Sequence, residues 1–322
     1  MLTYITRRIL YSIPVLLIAS FALFVFVRAT FDPLQKVRGS RDKEAITRER
    51  HRLGLDKPVV EQYGKWLGDF VQGDWGRSER TRDDVWGMTT RALGFTVQLI
   101  FWGVVASAII AIAIGVYSAV RQYSALDYTF TGLSFVGIAM PPFWFGIIAI
   151  QFLVFQPKQW FGLSNPLLYS IGLHSTGHSG IDLDYFQHLA LPVLTLTVQI
   201  IASWSRYQRA SMLDVMSSDY IRTARAKGVP QRKVVFKHAL RNALIPLVTV
   251  MSLDIGALFG GLIITEVIFS VPGMGQLFYK SISSGDIITL EAWFVVAAVF
   301  IIIFNLVADL MYGFLDPRIR VG

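Results

Sequence analysis

The sequence predicts an all-α, polytopic membrane protein with six transmembrane helices. Three observations carry this. Hydrophobic residues make up 53% of the chain and charged ones only 16%. Mean hydropathy is +0.50. Six runs approach or exceed the roughly 20 apolar residues of helix that cross a bilayer: 9–28, 93–120, 129–155, 189–207, 243–268 and 290–315. A single soluble core would also rarely serve more than about 250–300 residues.

The first run follows Arg7 and Arg8. It is long for a cleavable signal segment and ends Val-Arg-Ala-Thr, without a small-residue cleavage site, which predicts a retained signal anchor. Arg121 follows the second run, Arg318 and Arg320 follow the last, and the segment 206–241 holds nine bases. Short loops on the other side hold only Lys158 and Lys280. Because short basic loops stay in the cytoplasm, both termini are expected there. The formal charge of +8 is explained by these membrane-flanking bases rather than by nucleic acid.

The stretch after the first run breaks the charge pattern, but loops of this length largely escape the rule. It is expected to be a small folded cap. Asp56 is a candidate N-cap for a helix opened by Pro58. Val59, Val60, Tyr63, Trp66, Leu67, Phe70 and Val71 would form its apolar stripe, and Gly73 and Gly76 would end it in a turn. Packing on the membrane surface and docking of an external partner both remain open.

In the third run Pro141-Pro142 removes backbone donors and predicts a kink, beside a pathway or for packing alone. The fifth contains Gly256, Ala257, Gly260 and Gly261, small residues that let helices approach closely. Asp254 lies near its middle, where a charge costs about 2.5–3.5 kcal/mol on insertion scales, so it must face a cavity or a partner. A substrate ammonium and an interhelical hydrogen bond are equal readings. Glu266 is expected to bond the turn 272–275, and Asn305 and Asp309, four apart, to be structural.

The most informative stretch is Asp219, Tyr220, Ile221, Arg222, Thr223, Ala224, Arg225, Ala226, Lys227 and Gly228. It reads as a short helix with both ends specified. Asp219 or Ser218 is positioned to cap the start, Gly228 to close the end, and Pro230 forbids continuation. Arg225 and Lys227 suit the negative end of the helix dipole. A two-turn helix is too short to persist alone, since about 12–15 residues are marginal in water. It should dock on anionic lipid or in a groove of a cytoplasmic protein.

Chemistry is otherwise sparse. Cysteine is absent, so no disulfide framework or thiolate site exists. No phosphate-cradling Gly-rich loop with its Lys occurs, and no H-E-x-x-H. His174, His178, Asp182 and Asp184 have metal-ligand chemistry, but their Gly/Ser-rich surroundings predict a solvated loop and no metal site. No catalytic residue is identified.

The strings TARAKG (223–228) and HALRNALIP (238–246) resemble the EAA-type loop of binding-protein-dependent ABC importers. More narrowly, they are similar to the dipeptide, oligopeptide and nickel permease family. The segments 53–58, 73–76, 261–266 and 272–275 look like that family's B-type subunit, so the resemblance covers almost the whole chain. Gln187-His188, Leu191-Pro192 and the string SRYQR (205–209) resemble its oligopeptide branch, closest to an actinobacterial permease. The general E-A-A-x-x-x-G pattern is not met: Arg222 and Thr223 replace its first two residues, a departure shared with peptide permeases.

The resemblance implies a type I ABC importer (MetI-like) permease fold: helix 1–29, an extracytoplasmic insertion 30–92 and a five-helix core 93–322 with a coupling segment 208–242. It implies half of a peptide translocation pathway in a bacterial cell membrane. The expected partners are a homologous C-type permease, two ATP-binding subunits, an extracytoplasmic solute-binding protein and membrane lipid. ATP and Mg would be bound by the partner ATPases and no cofactor by this chain. Residues 219–228 would be the coupling helix. Nickel or haem cargo remains an alternative. Others are an ion-coupled transporter using Asp254 and Asp309, or a receptor without transport.

Overall fold

The computed structural model describes residues 2–32, 34, 43–52 and 54–315. Leu53, Arg318 and Arg320 lie outside them, as do the surroundings of Gly260 and Gly261. The described residues are mostly helical, with one isolated bridge between Arg77 and Asp84 and no strand. Five helical stretches are long and apolar enough to cross a membrane: Thr6–Thr30, Val85–Val120, Leu183–Met216, Gln231–Phe259 and Ile287–Met311.

The sixth expected span is a bent pair. Helix α5 (Ala125–Ala139) and helix α6 (Pro142–Ile150), which continues through a π turn (Gln151–Phe155) into α7 (Gln156–Trp160), meet at 104°. A kink was expected, and the chain turns a corner instead. Met140 precedes Pro141 and is driven into the extended region, with ψ at 122°. Two successive prolines then supply no N–H groups. The free Met140 carbonyl is satisfied by the Gln199 side-chain amide at 2.8 Å.

The centre is a close pair, α4 (Val85–Val120) and α8 (Leu183–Met216). On α4, Gly103, Ser107, Ala111 and Gly115 are all buried. Residues four apart share one face, so they make a smooth stripe along which α8 lies at backbone distance. A Cβ at Gly103 would strike Leu196, and one at Gly115 would strike Gln208 and the Ser205 carbonyl. This stripe was legible in the four-residue spacing but was not read there. The expected small-residue face on α11 (Leu240–Gly261) is real only in part. Gly256 packs closely on Phe304 of α14 (Ile287–Leu315), whereas Ala257 is exposed.

Helix α1 (Leu2–Thr30) begins before Arg7 and Arg8, so both lie within it. It flanks α14 with most of its apolar side chains exposed. The insertion contributes α2 (Lys43–Arg52) and α3 (Val59–Val71). Pro58 is itself the N-cap of α3, and Asp56 does not cap it; the Asp56 carboxylate faces His51 Nδ1 at 3.1 Å. The C-terminal turn forms as expected, with Gly73 left-handed and Asp74 N–H donating to the Asp69 carbonyl. The expected stripe narrows to Tyr63, Trp66, Leu67 and Phe70, all half-buried, because Val60 and Val71 are 65% and 77% exposed. An aromatic ladder runs from Phe21 and Phe24 of α1 through Tyr63, Trp66 and Phe70 to Trp75 and Trp86. The cap is thereby seated on its own first helix.

Candidate functional site

Helix α9 (Asp219–Ala226) is the expected two-turn helix. Its C-terminal signal works as read. Gly228 has φ of 74°, its N–H donates to the Arg225 carbonyl, and the Val229 N–H donates to the Ala224 carbonyl. Its N-terminal signal does not. Ser218 occupies the cap position, but its hydroxyl donates backwards to the Val215 carbonyl at 2.6 Å. Asp219 is fully out in solvent, 3.6 Å from Arg222.

What holds so short a helix is one buried face. Ile221 is wholly buried and Ala224 partly so, among Val116 and Ala119 of α4, Met212 of α8 and Val234, Val235 and Ala239. The last three belong to a π-helical segment (Val234–Ala239) between the short α10 (Gln231–Lys233) and α11. Tyr220 joins from the side: its hydroxyl accepts a bond from Asn242 Nδ2 at 2.8 Å. The expected docking partner is therefore first the chain's own helix ends. The opposite face, with Asp219, Arg222, Thr223, Arg225, Ala226, Lys227 and Gly228, is exposed. The arrangement joins an outward charged face to the ends of α4, α8 and α11 through one apolar plug.

Asp254 is partly buried, and its Oδ2 accepts a bond from the indole N–H of the fully buried Trp204 at 2.7 Å. Asp309 pairs with Arg8 at 3.0 Å, and Asn305 lines the same recess beside Tyr11 and Ser12. Glu266 bonds the expected turn and more. It lies in α12 (Ile263–Ile268), wholly buried. It accepts from the Gly275 N–H (2.6 Å), the Gln276 N–H (3.2 Å) and the Thr96 hydroxyl (2.6 Å). These amides open α13 (Met274–Ser284), so Glu266 serves as its cap from another helix.

Of the four residues in the loop before α8, Asp184 is buried, His174 and Asp182 are half-buried and His178 is exposed. Asp182 caps α8 through the Tyr185 N–H at 2.9 Å and faces His178 Nδ1 at 3.1 Å. Asp184 accepts from the Ser175 N–H and hydroxyl at 2.8 and 2.6 Å.

Sequence reasoning missed two locks. Asp127 takes both Arg209 nitrogens at 2.8 and 2.9 Å and the Tyr123 N–H at 2.9 Å, tying α5 to α8. Asp286 accepts from Ser78, the Glu79 N–H and Thr289, tying the end of the insertion to the start of α14. An acid beside each apolar run was the only local signal. Arg28 adds a third tie, reaching Glu291 at 3.0 Å and Gln62 at 2.6 Å.

Comparison with known proteins gives one consistent answer. The family described as "Binding-protein-dependent transport system inner membrane component" matches residues 111–321, and its N-terminal companion family matches residues 1–100. The oligopeptide transport system permease protein AppB of Bacillus subtilis is 40% identical over 324 residues, covering 99% of this chain and 100% of the relative. The dipeptide transport system permease protein DppB of Alkalihalophilus pseudofirmus is 36% identical over 335 residues, with 99% and 100% covered. DppB of Escherichia coli K12 is 35% identical over 339 residues, with 99% of each covered. A solved structure described as an amino acid ABC transporter with histidines has a TM-score of 0.48 at 14% identity, covering 70% of this chain and 93% of that one.

Proposed function

As the chain belongs to the family of binding-protein-dependent transport inner membrane components, we propose that it forms half of the pathway of an ATP-driven importer of di- or oligopeptides. In this family the membrane permease is one component and ATP hydrolysis belongs to separate subunits. The peptide cargo follows the names of the relatives, among them oligopeptide and dipeptide permeases. In the proposal the partners are a C-type permease, two ATP-binding subunits that hold ATP and Mg, and an extracytoplasmic binding protein. Both termini and α9 face the cytoplasm, where the flanking bases belong, and the insertion 30–92 faces the binding protein.

The observation that carries the reading is the two-sided character of α9: Ile221 is locked into the bundle while Arg222, Arg225 and Lys227 point away from it. A membrane-anchored helix would turn its apolar side outward. Here that side faces inward, and the charges are free for a protein cleft. When the ATPases close, a push on α9 is delivered through Ile221 to the ends of α4 and α8 and to the π segment before α11. These helices then move as packed bodies. An ion-coupled transporter using Asp254 and Asp309 would need free carboxylates, and the ion pair of Asp309 with Arg8 favours the ATP-driven alternative.

Replacing Arg222 and Arg225 together with Glu tests this. Both side chains are exposed, so permease level and melting temperature should hold. Co-purification of the ATP-binding subunits and uptake should both fall by about tenfold or more, since reversing exposed charges at an interface costs several kcal/mol. Survival of both assembly and uptake would refute the coupling role.

Asp254 is proposed to line the pathway, with one oxygen fixed by Trp204 and the other available to a peptide ammonium. Asp254→Asn keeps an acceptor for Trp204 and removes the charge. KM for peptides with a free amino terminus should rise several-fold, at unchanged melting temperature. An unchanged KM would assign the carboxylate to structure alone.

A further inference from the structure

We propose that the outer loop before α8 binds one divalent transition-metal ion of the zinc and nickel class, through His174, Asp182 and Asp184. The proposal is independent of the cargo.

One ligand atom from each of His174, Asp182 and Asp184 lies within 4.8 Å of the others. Ligands about 2.0–2.2 Å from a tetrahedral zinc stand roughly 3.5 Å apart, so a contraction of at most about 1.3 Å from the 4.8 Å limit closes the set. His174 Nδ1 supplies the observation that points to a ligand. It is shielded from solvent and has no hydrogen-bond partner. Its neighbour Asp184 Oδ2 is 3.8 Å away, too far for a hydrogen bond and suited to a shared ion. A buried polar atom without a partner is costly, and an ion between these two atoms would satisfy it.

The other ligands are held in place before any ion arrives. Asp182 and Asp184 flank the start of α8, the first as its N-cap and the second in its first turn. Asp184 is fixed by the Ser175 N–H and hydroxyl, and its carbonyl faces His188 Nδ1 at 2.9 Å. The His188 ring stacks on Tyr169 at 4.4 Å. Asp182 Oδ1 is held by the Tyr185 N–H, leaving Oδ2 beside His178. Such outer bonds orient ligands and raise affinity. The side chains of His178 and Asp182 are 54% and 40% exposed, which gives an ion a way in. An imidazole with two carboxylates favours zinc, nickel or copper over magnesium and calcium, which prefer all-oxygen shells. The bound ion would staple residue 174 to the first turn of α8.

The test uses the full-length chain, purified without a polyhistidine tag into lipid nanodiscs and stripped with chelator. Calorimetric titration with zinc or nickel chloride should show one ion per chain at micromolar Kd or tighter, about −8 kcal/mol. The melting temperature should rise on loading, while millimolar magnesium or calcium should do neither. His174→Ala should weaken zinc binding by about 10–100-fold. His178→Ala, at an exposed position, removes the imidazole that orients Asp182 Oδ2 and should weaken it by a smaller factor. Absence of zinc and nickel binding below about 100 µM, or binding unchanged in His174→Ala and in His178→Ala, would overturn the proposal.

Discussion

Gly275→Ala should leave little folded permease, with the melting temperature of what remains lowered by about 10 °C. The methyl group would overlap the backbone of Ile263, which no side-chain rotation can move aside. Relief requires α12 and α13 to separate. That separation breaks the bonds of the Glu266 carboxylate to the Gly275 and Gln276 amides. Overpacking of this kind costs about 3 kcal/mol, and each kcal/mol shifts the melting point by about 2–4 °C in a domain of 150–250 residues. Glu266→Ala attacks the same joint from the other side. It leaves the buried Gly275 amide, the half-buried Gln276 amide and the Thr96 hydroxyl short of their acceptor, at about 1–3 kcal/mol for each buried group orphaned. Thermal unfolding of detergent-purified protein checks both. A Gly275→Ala variant that melts within about 2 °C of wild type would show that this joint is loose.

Ile221→Asp should abolish uptake while leaving the membrane bundle folded. The side chain is the only fully buried one on α9, and truncating a buried Ile to Ala costs about 2–5 kcal/mol. An eight-residue helix has almost no stability of its own to set against that loss. With a carboxylate in the plug, α9 should detach and melt. Its bases would then become trypsin sites, so rapid cleavage at Arg222, Arg225 and Lys227 is the structural readout. The contrast with the double Arg variant is informative. There the helix stays docked, so that Lys227, the one of the three sites left, resists trypsin while the partner contact is lost. If Ile221→Asp transports normally, the plug does not transmit force, whatever binds the outer face.

Much of this was legible because it is local. The apolar runs gave five uninterrupted spans at nearly the expected places, and Gly228 and Pro230 marked the end of α9 and the start of α10. Local reading failed where two local options compete. Ser218 and Asp219 were both competent caps, yet the Ser218 hydroxyl turned back to Val215 and Asp219 stayed in solvent. Asp56 likewise lost the cap of α3 to the chain geometry at Pro58. The loop before α8 failed for another reason. Gly and Ser residues there suggested no fixed shape, but the first turn of α8 lends Asp182 and Asp184 its own rigidity.

Sequence alone determined the membrane class, the places of the apolar spans, a break at Pro141-Pro142 and the strings by which the family is recognised. These follow from hydrophobic length, missing donors and glycine's left-handed freedom, each expressed within a few turns of chain. Only the tertiary structure decided that the corner is 104°, that α9 buries Ile221 and shows its charges, and that Glu266 caps a helix other than its own. The same holds for Arg8 with Asp309, Asp127 with Arg209 and Ser78 with Asp286, which are 301, 82 and 208 residues apart. Pairing across such distances is set by how whole helices pack, and a local pattern of residue types carries no information about which helix lies opposite.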